Sequence, residues 1–313
     1  MTKTINFLLI LLTLTLLVFS CKKEESSVTK DDKINNESEL SESADIKFDL
    51  VFGVTPWDDK DIMQTKFTPT LNYLSEKLNK KIKFTLSKDY NTLCEEIGQG
   101  LIDFGSFSPG AYVDAKNKYP ELKYIVTTID KKTGKDSYLG YIFTHKDTGI
   151  TSFQQLKDKV FGFVDEGSSS GYKYPVAMMI DKWRVDPNAY FKKTFFLGNH
   201  ANVLDAVRNM KVDAGATWDV AMESDVKEKG DNPYFIIAKT DPIPYDGWLA
   251  KKDLDDKLIE EIKNILIDIN TETQNKDGVN VIKDFYYGGF VVRNDSFYNV
   301  LRTAVKALEK LKK

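Results

Sequence analysis

Three consecutive hydroxyls, Ser168-Ser169-Ser170, stand between the apolar run Phe161-Gly162-Phe163-Val164 and Gly171, where a stretch with helical spacing begins. Serine at a helix cap and first turn sets hydroxyls beside unpaired backbone N–H groups, and the helix dipole adds partial positive charge there. Such a start is a site for a tetrahedral oxyanion that needs neither Lys nor Arg. An ordinary capped helix needs one serine, so three followed by a glycine point to binding. The same stretch matches G-x-S-x-G over 167–171, which as a nucleophile elbow would make Ser169 the attacking group. His200 is the only His after it, 31 positions on, which leaves too little chain for the sheet elements of a hydrolase.

His200 follows an apolar run and opens a helical stretch, so its imidazole is placed to donate to an oxyanion in the same cleft. Asp219, after Ala214–Thr217, and Asp246, after Ile243-Pro244, sit where strands deliver loops. Each is a candidate acceptor for a cation or a protonated oxyanion, or else a turn or cap residue. Trp57, Phe107 and Ser108 lie on loops of the first half, as pocket walls or as packing.

The elements that must position these residues read as α/β. Strands are expected at Phe48–Val54, Ile82–Leu86, Phe104–Phe107 and Leu122–Ile129. A second set covers Val160–Val164, Phe191–Leu197, Ala214–Thr217 and Phe235–Ala238. Apolar residues at helical spacing fill Phe67–Leu78, Tyr90–Ile97, Tyr172–Trp183, Val203–Met210, Leu254–Ile269 and Phe297–Leu311. The two sets form two lobes, expected at 46–143 plus 247–313 and at 144–246, with Tyr138–Thr144 and Gly247–Lys251 as crossing strands. Facing α/β lobes make a cleft lined by loops and helix starts. A chain of 313 residues suits two lobes better than one core.

Composition narrows the partners. Lys and Arg total 44 against 47 Asp and Glu, a net charge of -3, so nothing favours nucleic acid. Two Cys and two His cannot build a Cys/His zinc site or a disulfide framework, and no cofactor is implied. Residues 1–20 carry one cation, Lys3, and a long apolar run, as a secretory signal peptide does. Val18-Phe19-Ser20-Cys21 resembles the lipobox of bacterial lipoproteins, which implies lipidation at Cys21. Residues 22–45 are almost wholly polar and cannot bury a core. The order is anchor, tether and globular cargo in the cell envelope, outside the cytoplasm.

A closely spaced series then carries a family resemblance: Ser137-Tyr138, Lys146-Asp147-Thr148-Gly149-Ile150-Thr151-Ser152, Phe161-Gly162-Phe163 and Ser168-Ser169-Ser170-Gly171-Tyr172. With Asp89-Tyr90, Gly110-Ala111-Tyr112-Val113, Asn199-His200, Val212-Asp213-Ala214-Gly215-Ala216 and Ile243-Pro244-Tyr245-Asp246, it covers roughly 47–305. The series resembles the phosphate/phosphite/phosphonate substrate-binding proteins of ABC importers. The resemblance implies a two-lobed type 2 periplasmic-binding-protein fold, no catalysis, and a permease and an ATPase as partners. It implies a small phosphorus oxyanion as ligand, held by Ser168, Ser169, Ser170, His200, Tyr138 and Asp246. It also implies a role for Asp219 toward an amino group on the ligand. Two departures bear on the ligand: Ala201 follows the His where members often have Asp, and Phe107 stands where some have Tyr. A binder of another small organic molecule is the alternative on the same fold.

Overall fold

The structure is a computed structural model that describes residues 47–309, so the expected signal peptide at 1–20, Cys21 and the tether lie outside the described residues. Ile46–Lys313 forms one compact unit. The first half alternates β1 (Leu50–Val54), α1 (Lys60–Leu78), β2 (Ile82–Leu86), α2 (Tyr90–Gly98), β3 (Phe104–Phe107), α3 (Pro109–Lys118) and β4 (Lys123–Asp130). The chain then runs through β5 (Ser137–Tyr138), β6 (Gly140–His145), β7 (Val160–Phe163), α4 (Tyr174–Trp183), α5 (Pro187–Tyr190) and β8 (Lys193–Phe196). It continues with α6 (His200–Arg208), β9 (Ala214–Trp218), α7 (Asp219–Lys229), β10 (Tyr234–Lys239) and β11 (Ile243–Pro244). Last come β12 (Gly247–Ala250), α8 (Asp256–Ile267), β13 (Tyr287–Val291) and α9 (Asn299–Leu308).

Two main sheets result, a six-stranded one ordered β13-β4-β12-β3-β1-β2 and a five-stranded one ordered β10-β6-β9-β7-β8. In the first, β2, β1 and β3 are parallel and β12 runs against β3 and β4. In the second, β8, β7 and β9 are parallel, with β6 antiparallel to β9. Strands buried on both faces read as apolar runs, as at Val51-Phe52 and Phe161. Phe52, Phe67, Phe104 and Trp248 pack in the larger core, and Ile142, Phe153, Phe161, Phe163 and Met179 in a smaller one on the second sheet.

The passage between sheets differs from the expected one. Tyr138–Thr144 is not one crossing strand: Ser137–Tyr138 pairs antiparallel with Ile243–Pro244, and β6 belongs to the second sheet. The expected limit at 143/144 therefore falls inside β6, and Gly247–Ala250 is a strand of the first sheet. The crossing is the short β5/β11 ladder, where two lone segments satisfy each other's backbone groups. The C-terminal helix α9, expected with the first half, packs on both α3 and α4.

Candidate functional site

Parallel strands put their carboxyl ends, and the helices that follow, on one edge of a sheet. Here both sheets turn that edge toward a shared cavity lined by Trp57, Tyr90, Ser108, Tyr138, Ser168, Ser169, Ser170, His200, Trp218, Asp246 and Tyr286. Its volume is about 20 Å³, measured as the space open to the centre of a water molecule. A wider groove of about 1070 Å³ shares Trp57, Tyr138, His200, Trp218 and Tyr286 with it and opens to the surface.

Five helix starts meet there. Tyr90 is the first residue of α2, whose cap Asp89 accepts from the N–H of Thr92. Ser108 caps α3, Ser168 caps the turn 169–173 that leads into α4, and His200 opens α6. Trp218 stands at the cap position of α7. The turn 169–173 is wider than an α-helical one, with Lys173 N–H donating to the Ser168 carbonyl at 2.9 Å. The extra residue brings Ser168, Ser169 and Ser170 to the cavity wall together. Among the described residues no Lys or Arg lines the cavity, so the positive potential they give it comes from neutral N–H and O–H groups and from helix dipoles.

The hydroxyls are organised by the backbone. Ser168 Oγ accepts from Gly171 N–H at 3.1 Å, which leaves its own proton for another acceptor. Ser169 Oγ accepts from Gly110 N–H at 2.7 Å across the two halves of the fold. The hydroxyls of Ser169 and Ser170 favour the charged form of Tyr138, and that of Ser168 the charged form of Tyr90, but burial outweighs them. Burial raises both tyrosine pKa values well above the ordinary range, so both stay protonated donors.

His200 is buried, and desolvation pulls its pKa down to about 3. The neutral ring contacts Thr217 Oγ1 through Nδ1 at 2.9 Å. Among the described residues, Asp246 is the only carboxylate on the wall. Burial raises its pKa to about 7, against the hydrogen bonds from Tyr286 and Ser106. The Tyr286 hydroxyl donates to Asp246 Oδ2 at 3.0 Å.

Further bonds hold the two halves together around the cavity. His200 N–H donates to the Trp57 carbonyl at 3.3 Å, and Asn199 Nδ2 to Asp59 Oδ1 at 3.1 Å. Lys173, at the end of the serine turn, pairs with Asp114 of α3.

Of the residues singled out from the sequence, Ser108, Ser168, Ser169, Ser170, Tyr138, His200, Asp246 and Trp57 come together on the wall. Phe107 does not: it is fully buried in the core of the first sheet. Asp219 does not reach the inner cavity either. Its Oδ2 accepts from Leu139 N–H at 3.1 Å and its Oδ1 from Val220 N–H at 2.9 Å, so the carboxylate fastens the crossing segment to α7. Trp218, one residue earlier, takes the place on the wall. Ser169 and His200 do not pair as nucleophile and base, since each has its partner elsewhere. Tyr90, Trp218 and Tyr286 were not singled out. Asp89-Tyr90 repeats the cap-then-helix pattern of Ser168 and His200, a signal that would have found Tyr90; Tyr286 has no local signal. Cys94 is a buried free thiol in α2, its pKa pushed up to about 12 mainly by burial.

A family profile described as "ABC transporter, phosphonate, periplasmic substrate-binding protein" matches residues 52–298. The chain is 24% identical over 239 residues to the phosphate-import protein PhnD of Mycolicibacterium smegmatis, covering 73% of this chain and 74% of that one. It is 24% identical over 237 residues to the phosphonates-binding periplasmic protein of Escherichia coli, covering 72% and 68%. Among solved structures, PhnD1 from Prochlorococcus marinus in complex with methylphosphonate superimposes with a TM-score of 0.74 at 20% identity, over 83% of this chain and 98% of that one.

Proposed function

The chain belongs to the family of periplasmic substrate-binding proteins of phosphonate ABC transporters, and from that premise we propose that it captures a small phosphorus oxyanion, a phosphonate, phosphite or phosphate, by closing two lobes over it. Members of this family are substrate-binding proteins and not enzymes, and they act outside the cytoplasm with a membrane permease and an ATPase. The observation that carries the ligand proposal is the cavity wall itself: four serines, three tyrosines, two tryptophans, a neutral histidine and one carboxylate, at five helix starts. Dehydrated donors aimed at one tetrahedral group give charge-assisted hydrogen bonds, about twice as strong as neutral ones. The relatives named for phosphate import and phosphonate binding support the same ligand class.

In this reading Ser168, Ser169, Ser170, Tyr90 and Tyr138 donate to the oxygens. In the same reading His200 carries its proton on Nε2 for the ligand, with Nδ1 accepting from Thr217 Oγ1. Asp246 accepts from a protonated oxygen or, when itself protonated, donates to a bare one. One lobe comprises the residues before β5 with those after β11, and the other the residues between them. Cys21 is lipidated and residues 22–45 tether the lobes to the membrane surface. The test is calorimetric titration of residues 46–313 with methylphosphonate, phosphite and phosphate, in wild type and in single serine variants.

A further inference from the structure

Two tryptophans on the cavity wall keep an indole N–H with no partner among the described residues. Trp57 Nε1 and Trp218 Nε1 are both fully shielded and unpaired. The residues themselves are 8% and 7% exposed, so neither N–H is satisfied by the open groove. A buried unpaired donor is costly, and a pair of them at one small cavity is well suited to a bound acceptor. The other unpaired groups, such as Trp248 Nε1, belong to residues that do not line the inner cavity.

The same two rings form a wall with Tyr286. Their centroids are 6.1 Å (Trp57–Trp218), 5.7 Å (Trp57–Tyr286) and 4.7 Å (Trp218–Tyr286) apart, all edge-to-face. Rings at those separations are in contact. All three, with Tyr138 and His200, line both the inner cavity and the outer groove, so they stand where the two spaces meet. The inner space is small, with about 20 Å³ open to the centres of water molecules, and suits one compact tetrahedral group. For an amine the inner wall offers one carboxylate among the described residues, Asp246, which already accepts from Tyr286 and which the oxyanion reading assigns to a ligand oxygen. Asp219 lines the outer groove and is spent on two backbone N–H groups. Lys66 lies 4.4 Å from the centre of the Trp57 ring and is paired with Asp58 at 3.1 Å.

Building on the oxyanion reading above, we infer that Trp57, Trp218 and Tyr286 form a selectivity wall, with the two indoles donating to the ligand. The wall limits it to an oxyanion that is bare or carries a single carbon, and rejects longer and amine-bearing substituents.

The experiment is titration of residues 46–313, which form one compact unit, with phosphate, methylphosphonate, ethylphosphonate and 2-aminoethylphosphonate. Wild type should bind at least one of the first two and should bind each of the last two at least about 10-fold more weakly. Trp57→Phe and Trp218→Phe, which keep an aromatic ring but lose the donor, should each weaken the preferred ligand by roughly 10-fold. Trp218→Ala, which opens the wall, should narrow the gap between methyl- and ethylphosphonate. Equal affinity of wild type for methylphosphonate and 2-aminoethylphosphonate would overturn the wall while leaving the oxyanion reading intact. Unchanged affinity in both Phe variants would overturn the indole donors. Binding of none of the four would overturn the oxyanion reading itself, and the inference with it.

Discussion

Asp246 and His200 carry opposite electrostatic tensions in the site. The Asp246 carboxyl is buried against the hydrogen bonds of Tyr286 and Ser106, and burial raises its pKa from the usual carboxylate range to about 7. The folded state therefore holds a proton that the unfolded chain releases near 3.8. Its contribution to stability is fully present below that value and is lost as pH rises through about 7. His200 acts in the opposite sense: its folded pKa is lowered to about 3, so its contribution is present above 6.5 and fades as pH falls. Asp246→Asn removes only the first effect. The variant should melt several degrees above wild type at pH 8, an effect of order 2–4 kcal/mol, and the difference should shrink toward pH 4. Thermal melts of ligand-free protein across that range check this; an offset independent of pH would contradict it. The serines and His200 were legible in the sequence because capping is a local matter of residue type beside a helix start. The exchange of Asp219 for Trp218 was not. Where β9 ends and α7 begins decides which of two adjacent side chains faces the cavity and which turns to the Leu139 N–H.

Among the elements, the start of α3 and the serine turn set how closely the halves approach. A Cβ on Gly110 would lie 2.1 Å from the Gly167 carbonyl oxygen, a backbone atom that cannot step aside. Gly110 N–H also donates to Ser169, so the same residue supplies both the gap and the bond. Gly110→Ala leaves α3 a good helix former at that position but wedges the halves apart. It should weaken ligand binding by at least about 10-fold and abolish any ligand-induced fall in the radius of gyration. Small-angle scattering with and without ligand reads this directly; wild-type affinity and compaction in the variant would contradict it. Most strands were legible because a buried parallel strand is a short apolar run. The crossing was not, since two-residue strands such as β5 and β11 carry no periodicity. β13, with its Tyr287-Gly288-Gly289 start, gives no clear strand pattern either, although the segment ahead of it delivers Tyr286 to the wall.

For the whole molecule, composition and motif order already gave the architecture: an α/β fold with a cleft, preceded by a polar segment and a signal-like start. Tertiary packing added the placement of α9 across α3 and α4, which an amphipathic pattern alone cannot assign to a partner. The proposed anchor has a simple consequence. Full-length protein expressed in a bacterial host should partition into detergent, and Cys21→Ala should release it or leave the precursor uncleaved. Wild type recovered in the aqueous phase would contradict the lipid anchor. The central claim is that an oxyanion is held by neutral donors at converging helix starts, and the serine cluster tests it most directly. Titration calorimetry of Ser168→Ala, Ser169→Ala and Ser170→Ala, with melts run in parallel, should show affinity for the preferred phosphorus oxyanion reduced by roughly 10–150-fold per lost donor, or about 1.5–3 kcal/mol. If all three variants bind that oxyanion as tightly as wild type and differ only by about 1 kcal/mol in stability, the serines are helix caps and the account of the site is wrong.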